Sequence, residues 1–223
     1  MHLDDEETDR QHCLAIVHEY HRCHDAFELF ASIASSLILA GHEKHQAYRA
    51  YNAYAAFIFH LYEFVLALHA RDLNVTEIRP PNGMEKHKFL DLLVQGTIKK
   101  TLRNRIEAIE KGYAPIWENS IETYKDLSPV PDDFSEKFRQ MRNKVNGHVT
   151  YQRIKEIDLT DFYEKYHSYL YMLYRDCGDW WGRSSEKQFP ELENITSFFA
   201  KIVASTREDQ VPPNAATSAR NGQ

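Results

Sequence analysis

Apolar residues recur at every third or fourth position over most of the chain, a spacing typical of one face of an α-helix. Few glycines and prolines interrupt this pattern; Gly41, Gly112 and the Pro-Pro-Asn-Gly segment at 80–83 are the clearest breaks. Glycine is suited to the left-handed conformation that commonly ends a helix. The first half of the chain is therefore predicted to form three long helices, over about residues 9–40, 43–72 and 84–111.

The second half shows the same periodicity in shorter segments. A short helix is predicted around 117–124, and the prolines of 128–131 mark the next break. The helix that follows begins with Asp133 and Glu136 in capping-box spacing and ends at Asn146-Gly147. Its predicted core stripe is Phe134, Phe138, Met141 and Val145.

A last long helix is predicted over 161–178, with a core face formed by Phe162, Tyr166, Tyr169 and Leu173. A short helix within 186–205 is expected to pack through Phe198 and Phe199. Residues 206–223 are polar, and we expect this tail to be disordered.

These elements predict the fold class and the domain organisation. The chain shows no strict alternation of apolar and polar residues and no hairpin signal, so strands are not expected. We expect an all-α protein, an antiparallel helical bundle of about five main helices. One helical domain would cover 1–205, followed by the tail at 206–223.

Composition indicates a reduced intracellular environment. The three cysteines (Cys13, Cys23 and Cys177) show no CxxC spacing, and the acidic N-terminus does not resemble a signal peptide. Residues 51–70 are apolar enough to span a bilayer, but they include Glu63, which would be costly at the bilayer centre. We therefore expect a core helix, no membrane partner and a cytoplasmic location.

The charge of the chain is unevenly distributed. The net charge of −6 argues against indiscriminate coating of nucleic acid, yet 137–155 contains six Lys and Arg and no acidic residue. Such a local positive field suits a polyanionic substrate. The residues predicted to contact such a polyanion are Lys137, Arg139, Lys144 and Arg153.

Within this basic segment, 142–148 reads Arg-Asn-Lys-Val-Asn-Gly-His. Arg142 lies about 80° round the helix from the apolar stripe, so it should lie at the boundary of the core. His148 follows the predicted stop at Gly147, where the chain can turn back towards the arginine. The spacing of Arg and His alone is weak evidence for a functional site, because a chain with 14 Arg and 12 His contains about two matches to Arg, four to six residues, and His by chance.

Residues 134–176, which include this motif and its apolar stripe, resemble the end of the HEPN superfamily, whose members are helical bundles that carry Arg, four to six residues, and His. Asn143 matches the Asn that follows the Arg in abortive-infection and toxin branches, and Glu63 lies in an apolar helix similar to one common in the family. Some HEPN toxins have Tyr two residues after the His; here that position is Thr150, and Tyr151 follows it.

The resemblance implies a metal-independent endoribonuclease in a toxin–antitoxin or phage-defence setting. Its expected catalytic residues are Arg142, His148 and Asn143, with Asn143 orienting the histidine or binding phosphate, and its candidate helpers are Tyr151 and Glu63. Expected partners are RNA, an antitoxin protein and a second copy of the chain that completes a composite active site. No cofactor and no metal are expected.

The residue types suit this chemistry. Histidine can act as base or acid near neutral pH, and arginine presents fixed donors to phosphate without losing its proton. One histidine cannot stand on both sides of an in-line displacement, whereas two copies related by a two-fold axis supply two.

A second, structural interpretation of the motif remains open. Arg142 could form a structural ion pair while His148 caps the helix end, where the dipole favours it. The chain would then be a non-catalytic HEPN-like module for dimerisation or partner binding.

Other clusters of polar residues are less informative. His18, His21, Cys23 and His24 lack a zinc-protease spacing, and Glu164 and His167 form a single Glu-x-x-His. The basic run at 99–105 is interpreted as a solvated face, with RNA contact as the alternative.

Overall fold

The computed structural model describes residues 5–41, 43–116, 118, 120–146, 158–181 and 197–201. These residues form helices and connecting loops without any strand, which confirms the all-α prediction. Residues 197–201 are helical. The longer elements, in chain order, are α1 (Glu6–Ala40), α2 (Lys44–Asp72), α3 (Lys86–Glu110), α4 (Ile121–Lys125), α5 (Phe134–Asn146) and α6 (Leu159–Trp181).

The internal contacts divide the chain into two units, Met1–Ser184 and Ser185–Gln223, and α1 to α6 belong to the first. The second unit contains the helical residues 197–201, where Phe198 and Phe199 are 60% and 58% exposed. The two rings contact each other, with their centres 5.6 Å apart, and both remain open to solvent. The tail at 206–223, with its predicted boundary, lies outside the described residues.

Several helix ends differ from their predicted positions; α4, for example, begins at Ile121 where 117 was predicted. For two of these ends the reason is identifiable. Helix α1 begins at Glu6, three residues early, because the Asp5 carboxylate accepts a hydrogen bond of 3.0 Å from the backbone of Thr8. Helix α6 continues past the predicted stop at Gly178 to Trp181. Gly178 lies against Tyr20 of α1, and a Cβ atom there would be 2.5 Å from the tyrosine oxygen. This glycine therefore permits close packing and does not end the helix.

Helices α1 and α2 form an antiparallel hairpin. Gly41, at a φ of 87°, ends α1 as expected, and α2 begins at Lys44. Contacts then run in opposite directions along the two helices, as in the pairs Asp9–Arg71, Glu19–His60 and Phe30–Tyr54.

Helices α3, α5 and α6 pack against the hairpin to enclose an aromatic core, and α4 packs against α3. The predicted stripe of α5 (Phe134, Phe138, Met141 and Val145) is at most 3% exposed, and the predicted face of α6 is also buried. Helix α2 lies at the centre, in contact with α1, α3, α5 and α6. The described chain thus places the start of the basic segment, on α5, directly beside α2.

Two helices, α1 and α2, are long and apolar enough to cross a membrane by length and composition. More than half of the most apolar window of α2 is buried within the protein, as in a core helix, whereas little of the corresponding window of α1 is. One or two such helices are weak evidence for a membrane span.

Candidate active site

Arg142 lies on α5 at the edge of the core, where its side chain is 31% exposed. This position confirms the prediction from its angle to the apolar stripe. Its Nε donates a hydrogen bond of 2.8 Å to Oε1 of Glu63 on α2, and its Nη2 donates to the same oxygen. The pair is open enough to solvent for its attraction to be partly screened.

An aromatic face supports the guanidinium of Arg142. The guanidinium carbon lies 4.9 Å from the ring centre of Phe59 and 5.9 Å from that of Tyr62. Tyr62 is buried, but Phe59 is partly exposed and does not belong to the described core cluster. Phe59 therefore holds the arginine at the surface, where a ligand can reach it.

Asn143 contributes to the position of the same guanidinium. Its exposed Oδ1 accepts a hydrogen bond of 2.9 Å from Nη1 of Arg142. A guanidinium has five N–H groups, and Glu63 and Asn143 together accept three of them. Two N–H groups, one on each Nη, thus have no partner among the described residues.

Three of the predicted site residues lie outside the described part of the chain. They are His148, Tyr151 and Arg153, all in the segment 147–157. The predicted site residues that the structure brings together are therefore Arg142, Asn143 and Glu63. The first two were predicted as catalytic and Glu63 as a helper.

Arg139 was predicted to bind RNA, but its donors are occupied by a carboxylate. Its Nε and Nη2 donate to the two oxygens of Asp91 on α3, at 2.8 Å and 2.9 Å. Both side chains are less than one-fifth exposed. This two-pronged ion pair fastens α5 to α3, so it favours a structural role for Arg139.

The two lysines of the predicted RNA-binding set also lie on α5. Lys137 donates a hydrogen bond of 3.3 Å to Gln140 on the same helix, and Lys144 lies partly exposed near the end of α5. The backbone N–H groups of Thr160 and Asp161 lower the pKa of Asp158, with a smaller contribution from Lys144. These lysines remain candidates for contact with phosphate.

His167, which belongs to the single Glu-x-x-His, and His60 of α2 both have side-chain partners. Nδ1 of His60 lies 2.7 Å from the Glu19 carboxylate, and Nδ1 of His167 lies 3.0 Å from the hydroxyl of Tyr54. Tyr163 also stacks on His167, with ring centres 4.3 Å apart. Within the described ranges, no three His, Cys, Asp or Glu side chains are grouped so that they could hold a metal ion.

The basic run at 99–105 is paired with carboxylates. Lys99 lies 3.4 Å from Asp132, and Arg105 bridges Glu118 and Asp176 at 3.1 Å and 2.8 Å. These contacts offset much of the positive charge of the run and favour the interpretation as a solvated, structural face.

Sequence reasoning overlooked two residues that the structure places at important positions. Phe59 could have been found, because it precedes Glu63 by four residues and therefore shares its helix face. Glu118 lies in a loop where the local pattern singles out no residue. Its side chain is 2% exposed and accepts hydrogen bonds from Tyr124 and Arg175, besides its pair with Arg105.

No protein-family model matches the chain, and no curated protein or solved structure matches it either. A functional interpretation of the chain therefore depends on the motif at 142–148 and on the surroundings of Arg142.

Proposed function

We propose that the chain is a metal-independent endoribonuclease, acting in a toxin–antitoxin or phage-defence setting, with Arg142 and His148 as its catalytic residues. The observation that carries the proposal is the placement of the Arg142 guanidinium. Glu63, Asn143 and Phe59 hold it in one orientation at the surface, with two N–H groups left for a ligand. A pre-oriented donor of this kind suits the charge that develops on a phosphate in the transition state.

The proposed reaction is attack of a ribose 2′-hydroxyl on the adjacent phosphorus. A base removes the 2′-hydroxyl proton as the new O–P bond forms, and an acid protonates the 5′-oxygen as its bond to phosphorus breaks. The products are a 2′,3′-cyclic phosphate and a 5′-hydroxyl. Histidine can serve as base or acid near neutral pH, so a metal is not needed to activate the nucleophile.

Two copies of the chain would divide these two proton transfers. In-line displacement places the base and the acid on opposite sides of phosphorus, which one imidazole cannot span. We therefore propose a homodimer in which His148 of each copy takes one role and the Arg142 side chains bind the phosphate.

The Glu63–Arg142 ion pair favours a second function, that of a non-catalytic module for dimerisation or partner binding. Here the arginine would join α5 to α2 and would need no substrate. The two functions differ in one consequence: only the ribonuclease loses a measurable reaction when His148 is replaced.

The direct test of the proposed reaction is cleavage of purified total RNA in excess EDTA. Cleavage should persist under chelation and should leave 2′,3′-cyclic phosphate ends. Loss of activity on chelation, restored by magnesium, would contradict the proposed chemistry. Absence of cleavage under every condition would favour the interaction module.

A further inference from the structure

One face of α2 is exposed or partly exposed over residues 49–66. From Arg49 onwards, residues at alternating steps of three and four are exposed or partly exposed, while most residues between them are buried. This α2 seam consists of Arg49, Asn52, Ala56, Phe59, Glu63 and Leu66.

The spacing of the α2 seam is that of the a and d positions of a coiled coil. The seam is narrow, and its centre is apolar, with Ala56 and Phe59 flanked by polar residues towards the hairpin end. His60 borders the seam on the α1 side, where it is paired with Glu19. A seam of this kind suits a second helix packed along α2.

The polar residues of the seam have unused hydrogen-bonding capacity. The two hydrogen bonds that Arg142 donates to Glu63 both go to Oε1. Oε2 of Glu63 has no hydrogen-bond partner among the described residues. Arg49 is exposed, and its described hydrogen bond is a long one of 3.3 Å to Gln46 on the same helix. The seam thus carries an available carboxylate oxygen and an available guanidinium.

We propose that a second copy of the chain docks on the α2 seam, with the two α2 helices antiparallel and Arg49 of each copy on Glu63 of the other. A two-fold axis requires such a surface to be complementary to itself. An axis between Ala56 and Phe59 meets this requirement. It places the small Ala56 of each copy against the large Phe59 of the other copy.

The same register accounts for the charges. Asn52 of one copy then faces Glu63 of the second copy, and Arg49 lies one turn away with its stem against Leu66 of that copy. Both side chains are donors directed at Oε2 of Glu63. Charge complementarity therefore selects a second copy as the occupant of this face.

This docking rests on the proposed function and deepens it, since it shows how two arginines approach one substrate. Arg142 lies at the level of Phe59 and Glu63, so the two copies of Arg142 are about 10 Å apart along the helix axis, on either side of the two-fold axis.

The test measures the dimer dissociation constant of the full chain by light scattering and analytical ultracentrifugation. Arg49→Glu places two carboxylates opposite each other and should raise this constant by about tenfold or more. Lys44→Glu is the matched control, because it changes the charge equally at an exposed position of α2 outside the seam. It should leave the constant unchanged. A monomeric wild type, or equal effects of both variants, would overturn the docking.

A mixing experiment tests the pairing itself. Chains with Arg49→Glu and chains with Glu63→Arg should each dimerise poorly, whereas an equimolar mixture should form heterodimers, since both contacts then join opposite charges. RNA cleavage is measured on the wild type and on Arg49→Glu, both of which keep Glu63. If dimerisation depends on Arg49 but no RNA is cleaved, the result contradicts the ribonuclease and supports the docking. If RNA is cleaved by a dimer that does not depend on Arg49, the result supports the ribonuclease and contradicts the docking.

Discussion

Arg142 on α5 and Glu63 on α2 form an ion pair across 79 residues of sequence, and each side chain is about one-third exposed. The pair is thus neither a buried structural bridge nor a freely solvated surface contact. Phe59 beneath it and Asn143 beside it restrict the arginine further. This combination of restraint and access is what the proposed catalytic role requires.

The exposure of the pair limits its contribution to stability. In a double-mutant cycle of Arg142→Ala and Glu63→Ala, we expect a coupling of about 0.5–1 kcal/mol, measured by urea unfolding. A coupling several times larger would indicate a desolvated structural bridge and would favour the interaction module.

Arg139 and Arg142 are one turn apart on α5, and we expect their substitutions to have different effects on stability. Arg139→Ala leaves the mostly buried Asp91 without its cation and should cost about 2–3 kcal/mol. Arg142→Ala should cost less, because Glu63 can be solvated. Urea unfolding of the two variants under identical conditions gives the stability that each loses. A larger loss in Arg142→Ala than in Arg139→Ala would contradict the structural role of Arg139 and the exposed position of Arg142.

Phe138 is fully buried between Tyr62 and Phe134, so its truncation should remove core packing. Phe138→Ala is expected to destabilise the protein by about 3–5 kcal/mol, or to prevent folding. Thermal unfolding checks this, and a stability close to that of the wild type would contradict the position of α5 against α2.

His167 should make stability depend on pH. Burial lowers the pKa of His167 to about 4, whereas an unfolded histidine titrates near pH 6.5. Protonation between these values favours the unfolded chain, so stability should be constant above about pH 6.5 and fall by about 1–2 kcal/mol towards pH 4; partial solvent access to the ring reduces the effect.

The control for this pH dependence is a ring that cannot be protonated. His167→Phe should reduce the fall in stability between about pH 6.5 and pH 4, and the part that remains includes His69, whose pKa is also lowered by burial. His45→Asn, at an exposed position, should leave the curve unchanged. Unfolding in urea across this range gives the comparison. An unaltered curve for His167→Phe would assign the pH dependence to other groups.

Periodicity predicted the helices well, because each long element has a wide apolar face and clear breaks. The core stripe of α5 and the position of Arg142 beside it follow from that period alone. The end of α6 did not follow, since Gly178 serves the approach to Tyr20, a contact between helices distant in sequence.

The candidate site was predictable in residue type but not in pairing. The sequence of the basic segment predicted a set of exposed cations, yet Arg139 forms an ion pair with Asp91 and Arg142 forms one with Glu63. Both carboxylates come from helices far away in sequence, so local charge patterns could not identify these partners. Phe59 is the exception, because its spacing from Glu63 places it on the same face.

The most direct test of the central claim compares RNA cleavage per folded molecule for the wild type, His148→Ala, Arg142→Ala and the control His87→Ala. Thermal unfolding of the same samples gives the folded fraction; His148→Ala should cost at most about 1 kcal/mol, as for a lost helix cap. The account predicts that His148→Ala and Arg142→Ala abolish cleavage while remaining folded, and that His87→Ala cleaves like the wild type. Full activity in His148→Ala, or losses that only follow the folded fraction, would contradict it.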